Sequence, residues 1–339
     1  MQRSVYRLNK AGSINNLKSV SENLPDPLEN EVTIQVKAIG LNFADIFAIQ
    51  GLYSATPKES FIPGLEYSGT IIKRGKNVTK YEINDKVAGV IRFGAYTNYL
   101  NIKQDYLIKL PYSWSFEEGA AFIVQSLTAY YALIELGKLK TNSTVLIHSA
   151  AGGVGIYANR IAKKFGAYTI GTVGSSTKID FLRDEGYDDV ILRDNDFKKK
   201  LSNSLTNRSL DLVLECIGGN IFSESFKQMS AGGRIIVYGA AQFSTGNSRP
   251  NYLKVLSKYL RRPKVDPLSL SDKNKSVMGF NLIYLWDNVK SLKIYLENIL
   301  ELNLPKPMIG EIFNFENLID AVKKLQAGKT IGKVIVKID

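Results

Sequence analysis

The chain has 339 residues, 45% hydrophobic and 22% charged, a balance that excludes a disordered tail, a collagen-like fibre and a disulfide-dense miniprotein; its length predicts two domains. A single cysteine, Cys216, excludes an intramolecular disulfide, and a single histidine, His148, excludes a multi-histidine zinc site. The net charge of +12, from 44 basic and 32 acidic residues, favours anionic ligands or surfaces without choosing among them, and lysine-rich solubility explains it equally well.

The N-terminus runs straight into strand-like alternation, with no charged segment ahead of an apolar core, so no signal peptide is expected and the cytoplasm is the expected compartment. Residues 1–110 read as short strands at Ser4–Leu8, Val32–Ile39, Tyr67–Lys73, Lys86–Ile91, Tyr96–Ile102 and Tyr106–Leu110. One helix interrupts them at Asn42–Gln50, with Asn42 as N-cap, Asp45 in the first turn and Gly51 as the stop. A capping box, Ser115-Phe-Glu-Glu118, opens the next helix. From about 122 to 286 apolar strands alternate with helical segments: Thr144–Ser149, Ile156–Phe165, Tyr168–Val173, Asp211–Cys216 and Arg234–Tyr238. Runs without polar alternation suit a parallel sheet covered on both faces. The longest uncharged stretch, Thr141 to Asn159, is broken by polar residues and glycines and does not predict a membrane span. Helices near Val289–Leu302 and Glu316–Gln326 and a last strand, Val334–Ile338, are expected to return to the first domain.

The strand Thr144–Ser149 enters Ala150-Ala-Gly152-Gly153-Val154-Gly155 and then a helical run. Glycines between a buried strand and a helix give a tight turn, close backbone approach and helix N–H groups aimed at a pyrophosphate, so this loop reads as a dinucleotide cradle; a plain glycine turn is the bland alternative. An acidic residue after the following strand would bind the ribose hydroxyls of NAD. Here Tyr168–Val173 ends in Gly174-Ser175-Ser-Thr-Lys178 with no carboxylate before Asp180, which suits a 2′-phosphate and favours NADPH. Arg193 lies in reach of the same phosphate, or is a solvated surface arginine.

Taken together, Gly40-Leu-Asn-Phe-Ala-Asp45, Gly51-Leu-Tyr53, Pro63-Gly-Leu-Glu-Tyr-Ser-Gly69, Ala150-Ala-Gly-Gly-Val-Gly155, Tyr238-Gly-Ala240 and Gly332-Lys-Val334 resemble the medium-chain dehydrogenase/reductase superfamily in its zinc-free quinone oxidoreductase branch. Asp266–Leu270 with Met278–Leu282 is similar to the vesicle amine transport protein subgroup. The resemblance implies an α/β fold: a GroES-like β-rich domain, 1–121, completed by 287–339, and a doubly wound Rossmann NADP-binding domain, 122–286. Asn42 stands where zinc-dependent relatives carry a cysteine ligand and Leu65 where they carry a histidine, so hydride donation from NADPH to an already electrophilic acceptor, a quinone or enone, is the expected chemistry.

By the same resemblance Tyr53 faces the nicotinamide as hydrogen-bond or proton donor, Asn42 points its amide to the substrate besides capping its helix, and Thr128 lies near the nicotinamide; Gly239 and Ala240 join the glycine loop in holding the cofactor. Packing roles explain Tyr53 and Thr128 as well. Glu66 reads as part of an internal polar network, and His148 and Cys216 as buried packing residues. The segment Leu253–Lys264 carries Lys254, Lys258, Arg261, Arg262 and Lys264 among apolar residues without an acid. It reads as a lid over the cleft, with an anionic membrane surface as the competing partner and no nucleic-acid reading module beside it. A homodimer paired along Ser276–Leu282 is expected, with a hydrophobic electrophile as small-molecule partner and no metal.

Overall fold

The computed structural model describes all residues, 1–339. Six parallel strands form one sheet in the order Asp189–Leu192, Tyr168–Val173, Thr144–Ile147, Leu212–Glu215, Arg234–Val237, Ser276–Gly279. The order reverses beside Thr144–Ile147, the switch point where doubly wound sheets bind ligands at their strand ends. The strand itself is fully buried, as Val-Leu-Ile without polar alternation requires of a strand covered on both faces. Helices Gly153–Lys164, Ile179–Asp184, Phe197–Ser204 and Gly219–Gln228 make the crossovers.

The second layer is a seven-stranded sheet ordered Ile309–Asn314, Lys333–Lys337, Glu31–Gly40, Glu66–Arg74, Lys86–Val90, Leu107–Lys109, with Tyr99–Lys103 also paired to Glu31–Gly40. The chain's last strand thus lies beside Glu31–Gly40 in the N-terminal sheet, Val336 opposite Ile39. Helix Val289–Glu301 buries Leu292, Leu296 and Ile299 in an apolar cluster shared by both layers, with Leu127, Ile147, Ile161 and Leu214 on one side and Leu65, Ala88 and Val90 on the other, and Ile309–Asn314 joins the β-rich sheet.

Two elements differ from the sequence reading. Leu17–Asn23 is a strand paired with Gln2–Leu8, yet Lys18, Ser19, Ser21 and Asn23 carry no alternating apolar face to announce it. The helix opened by Ser115 is broken into Phe116–Ala120 and Ile123–Tyr130 and then widens into a π-helical turn over Tyr131–Leu136.

Candidate active site in the cleft between the sheets

A cleft of about 1550 Å³ runs between the two layers, lined mostly by apolar side chains. Its floor is the glycine loop. Gly152 is the N-cap of helix Gly153–Lys164, so the first helical N–H groups open toward the cleft. Glycine is required at Gly155, where a Cβ would lie 2.6 Å from Ala150 Cα and 2.7 Å from the Ser149 carbonyl. At Gly153 a Cβ would overlap the side-chain amide of Gln125, a cleft-lining residue that the sequence reading missed. Gly152, Gly153, Val154 and Gly155 all line the cleft, whereas Ala150 is buried beneath the loop as the surface against which Gly155 packs.

Ser175, Lys178 and Arg193 line one end together. Ser175 caps the turn Ser176–Lys178, its Oγ 2.8 Å from Thr177 Oγ1. Lys178 Nζ donates to the carbonyls of Gly328 (2.9 Å) and Thr330 (2.7 Å); burial, then the neighbouring Arg193 charge, lowers its pKa. Arg193 donates from NH1 to Thr172 O and Oγ1 at 3.0 and 2.8 Å. Gly239, whose Cβ would come within 2.9 Å of Cys216 Cβ, and Ala240 border the middle of the cleft. Thr128 borders it too, with its hydroxyl hydrogen bonded back to Val124 O at 2.6 Å.

At the other end Tyr53 donates its hydroxyl to Asn281 Oδ1 at 2.6 Å. Burial pushes the Tyr53 phenol up to about 12, so it keeps its proton at neutral pH and acts as a donor. Beneath it lies a buried polar network. Lys333 Nζ donates to Asn42 Oδ1 at 2.8 Å and to Glu66 Oε1. Asn42 Nδ2 donates to Gly40 O and Glu66 Oε1 at 3.2 and 3.0 Å, and Glu66 Oε2 accepts from the Val124 N–H at 3.0 Å. Both amide hydrogens of Asn42 are therefore committed within the protein, leaving it no donor for a substrate. Asn42 is the N-cap of helix Phe43–Gln50, with its backbone N–H held by Asp45 Oδ2 at 2.8 Å. Asp45 also accepts from the Tyr96 hydroxyl at 3.2 Å, and burial pushes its carboxyl up to about 7. Glu66 sits in the internal network expected of it. Lys333 and Asn281 carried no assigned role, although both stand in quoted motifs, Gly332-Lys-Val334 and Met278–Leu282.

Helix Tyr252–Leu260 roofs part of the cleft, turning Tyr252, Val255, Leu256 and Tyr259 to it, while Leu253 and Leu260 are 81% and 66% exposed. The loop before it is pinned to the β-rich layer: Asn247 O accepts from Gln50 Nε2 at 2.9 Å and from Gln326 Nε2 at 2.8 Å.

The alcohol dehydrogenase GroES-like domain model matches residues 28–112 and the zinc-binding dehydrogenase model residues 153–292. The chain is 33% identical over 321 residues to the synaptic vesicle membrane protein VAT-1 homolog of Danio rerio, covering 94% of this chain and 66% of that relative. With the Homo sapiens protein of that name it shares 30% over 316 residues, 92% of this chain and 80% of the relative. The chain belongs to the medium-chain dehydrogenase/reductase superfamily. Within it, the chain falls in the zinc-free quinone oxidoreductase branch beside the VAT-1 homologues. The crystal structure of the human VAT-1 homolog-like protein superposes with a TM-score of 0.86 at 26% identity, covering 100% of this chain and 99% of that one. A quinone oxidoreductase of Pseudomonas syringae pv. Tomato superposes at 0.85 and 26%, covering 99% of both. Fold and family are those of oxidoreductases.

The superfamily's zinc does not fit these residues. Both ring nitrogens of His148 are engaged inside the sheet, by Thr172 and Ser225, and no three His, Cys, Asp or Glu side chains come together as a ligand set.

Proposed function

We propose that this chain is a zinc-independent, NADPH-dependent reductase that delivers hydride to a hydrophobic, electron-poor acceptor, a quinone or an α,β-unsaturated carbonyl compound. The observation that carries this reading is one continuous cleft running from a cationic end, Lys178 and Arg193, over the glycine loop to the Tyr53 hydroxyl. The residues fit the cofactor: helix N–H groups and glycine backbone for the pyrophosphate, no carboxylate at the end of Tyr168–Val173 to repel a 2′-phosphate, and Thr128, Gly239 and Ala240 along the rest of its path. Bound there, NADPH supplies the hydride. Tyr53 serves as the donor to negative charge developing on the acceptor oxygen by turning its one hydroxyl hydrogen there from Asn281 Oδ1, which otherwise holds it. Asn42 acts with Lys333 and Glu66 to fix the floor below, rather than by touching the acceptor.

The test is NADPH oxidation by purified, cofactor-loaded protein against quinones, enals and enoyl thioesters. Turnover of at least one class is expected; none turned over would remove the enzyme reading. We also propose a homodimer through Ser276–Gly279, the terminal strand of its sheet, for which light scattering should give twice the 37.7 kDa chain mass.

A second reading is favoured by Leu253 and Leu260, which project outward beside five cations with no acid among them. It is a nucleotide-binding protein that docks on anionic membranes and has little turnover. Sedimentation with anionic and neutral liposomes separates the two readings. A lid ignores both, whereas a membrane helix pellets with anionic vesicles and is released by salt.

A further inference from the structure

A second cavity, of about 180 Å³, lies apart from the cleft and shares no lining residue with it. Its walls come from distant pieces of chain: Trp114 from the turn that begins at Pro111, Phe122 at the break between the two short helices, Tyr157 in the helix that follows the glycine loop, and Ile299 and Leu304 at and just beyond the end of helix Val289–Glu301. No charged side chain lines it. Phe122, Tyr157 and Ile299 are buried at its floor, and Pro305 is exposed at its mouth.

The mouth is braced from both sides, which keeps the walls from closing on one another. Arg160, one turn beyond Tyr157, donates from NH1 to Pro305 O at 3.2 Å and to Lys306 O at 2.9 Å, and from NH2 to Glu185 Oε2 at 3.0 Å. Lys306 in turn donates from Nζ to Glu118 Oε2 at 3.0 Å and to Ser113 O. The loop over the cavity is thereby fixed to the helix behind it and to the turn in front.

Three observations define what would fit. Tyr157 is the one floor residue with a polar side chain, and its hydroxyl is enclosed with no hydrogen-bond partner in the protein. Burial pushes its phenol above the usual range, so the hydroxyl holds a hydrogen to donate. An enclosed hydroxyl without a partner costs stability unless a ligand completes it, and a water is poorly held there because it needs about two to four polar partners. The walls are aromatic: Trp114 and Phe122 meet edge to face at 5.0 Å and 85°, and Phe122 and Tyr157 continue the series at 6.0 Å and 60°, the offsets at which a further ring packs well. Volume sets the size. An apolar cavity of roughly 150 Å³ takes a benzene ring, so 180 Å³ admits one ring with a small substituent. The uncharged lining excludes an ionised molecule.

We propose that this cavity is a second ligand site, for a neutral single-ring aromatic molecule bearing one oxygen, whose ring packs against Trp114 and Phe122 and whose oxygen accepts the hydrogen of the Tyr157 hydroxyl. The site stands whether or not the cleft carries out hydride transfer, since the two share no residue.

The experiment is a nuclear magnetic resonance titration of the full, nitrogen-15-labelled chain with 4-fluorophenol and, separately, with fluorobenzene, which lacks the oxygen. The chain's 2 tryptophans are separate reporters, because Trp114 lines this cavity and Trp286 lines the cleft. The Trp114 indole signal should move and saturate with 4-fluorophenol in the millimolar range or below, and fluorobenzene should move the same signal with weaker affinity. Tyr157→Phe removes only the hydroxyl, so it should fold with a melting temperature no lower than wild type. It should weaken 4-fluorophenol by about three- to tenfold, the loss of one hydrogen bond, and change fluorobenzene less than about twofold. A shift confined to Trp286, or none at either tryptophan, overturns the site. Tyr157→Phe that weakens both ligands equally, or neither, overturns the hydrogen bond and with it the requirement for an oxygen.

Discussion

Replacing Lys333 by Met should be among the most damaging single changes in the β-rich layer. Lys333 and Glu66 are each 1% exposed at the side chain and are in direct contact, so the substitution leaves a buried carboxylate without its counter-charge. Breaking one side of such a pair costs about 3–5 kcal/mol. Removing the donor also strips Asn42 Oδ1 of its 2.8 Å bond, which places the expected cost in the upper half of that range. The charge imbalance, rather than the missing volume, is the cause, since Met fills most of the space of the lysine stem. The second half of the perturbation is therefore Lys333→Met with Glu66→Gln: a neutral pair, in which the substituted amide still offers its oxygen to the Val124 N–H, should recover at least about half of the loss. Equilibrium urea unfolding of the wild type, the two single variants and the double variant completes the cycle. A Lys333→Met cost below about 1 kcal/mol, or a double variant as unstable as the summed singles, would refute the buried-pair reasoning.

Three further outcomes are expected. Asp45, at about 7 when folded against an ordinary value of 3.8, holds an extra proton in the folded state, so its contribution makes stability fall as pH rises from about 4 to 7 and level off above; Asp45→Asn, which keeps an oxygen for Asn42 and Tyr96, should remove that fall, and urea unfolding of both proteins across this window gives the difference. Variant and wild type with parallel pH profiles would count against the assignment. Tyr53→Phe should lower kcat by about 10²-fold with KM nearly unchanged in steady-state assays, as loss of a donor that acts on developing charge; an equal rise in KM would mark a packing role. Gly155→Ala drives a Cβ into the backbone of Ser149 and Ala150, so it should cost about 1–3 kcal/mol of thermal stability and abolish nucleotide binding in a titration; a variant that binds normally would show the loop is not held this tightly.

Much of the site was legible because its signals are local. The glycine loop, the missing carboxylate after Tyr168–Val173 and the cap of helix Phe43–Gln50 each lie within about a dozen residues of the structure they dictate. What was not legible depends on partners far apart in the chain. Lys333 meets Asn42 across 291 positions and Tyr53 meets Asn281 across 228; no periodicity links them. Asn42 shows the limit within a single residue: its capping position follows from the sequence, but that both amide hydrogens are committed follows only from Glu66 and Gly40 coming beside it. The strand Leu17–Asn23 was hidden for another reason: it buries only Leu17, and the apolar face of the ribbon is supplied by Val5, Tyr6 and Leu8 of its partner strand.

The central claim, metal-free hydride transfer from NADPH to an electron-poor acceptor, is tested most directly by mass spectrometry of the product formed with NADPH dideuterated at the nicotinamide carbon that gives up hydride, in the presence of a strong zinc chelator. Deuterium in the product of an enal, an enoyl thioester or a quinone analogue that retains carbon-bound hydride is predicted, at a rate the chelator does not change. Product without deuterium, or turnover abolished by the chelator and restored by zinc, would contradict it.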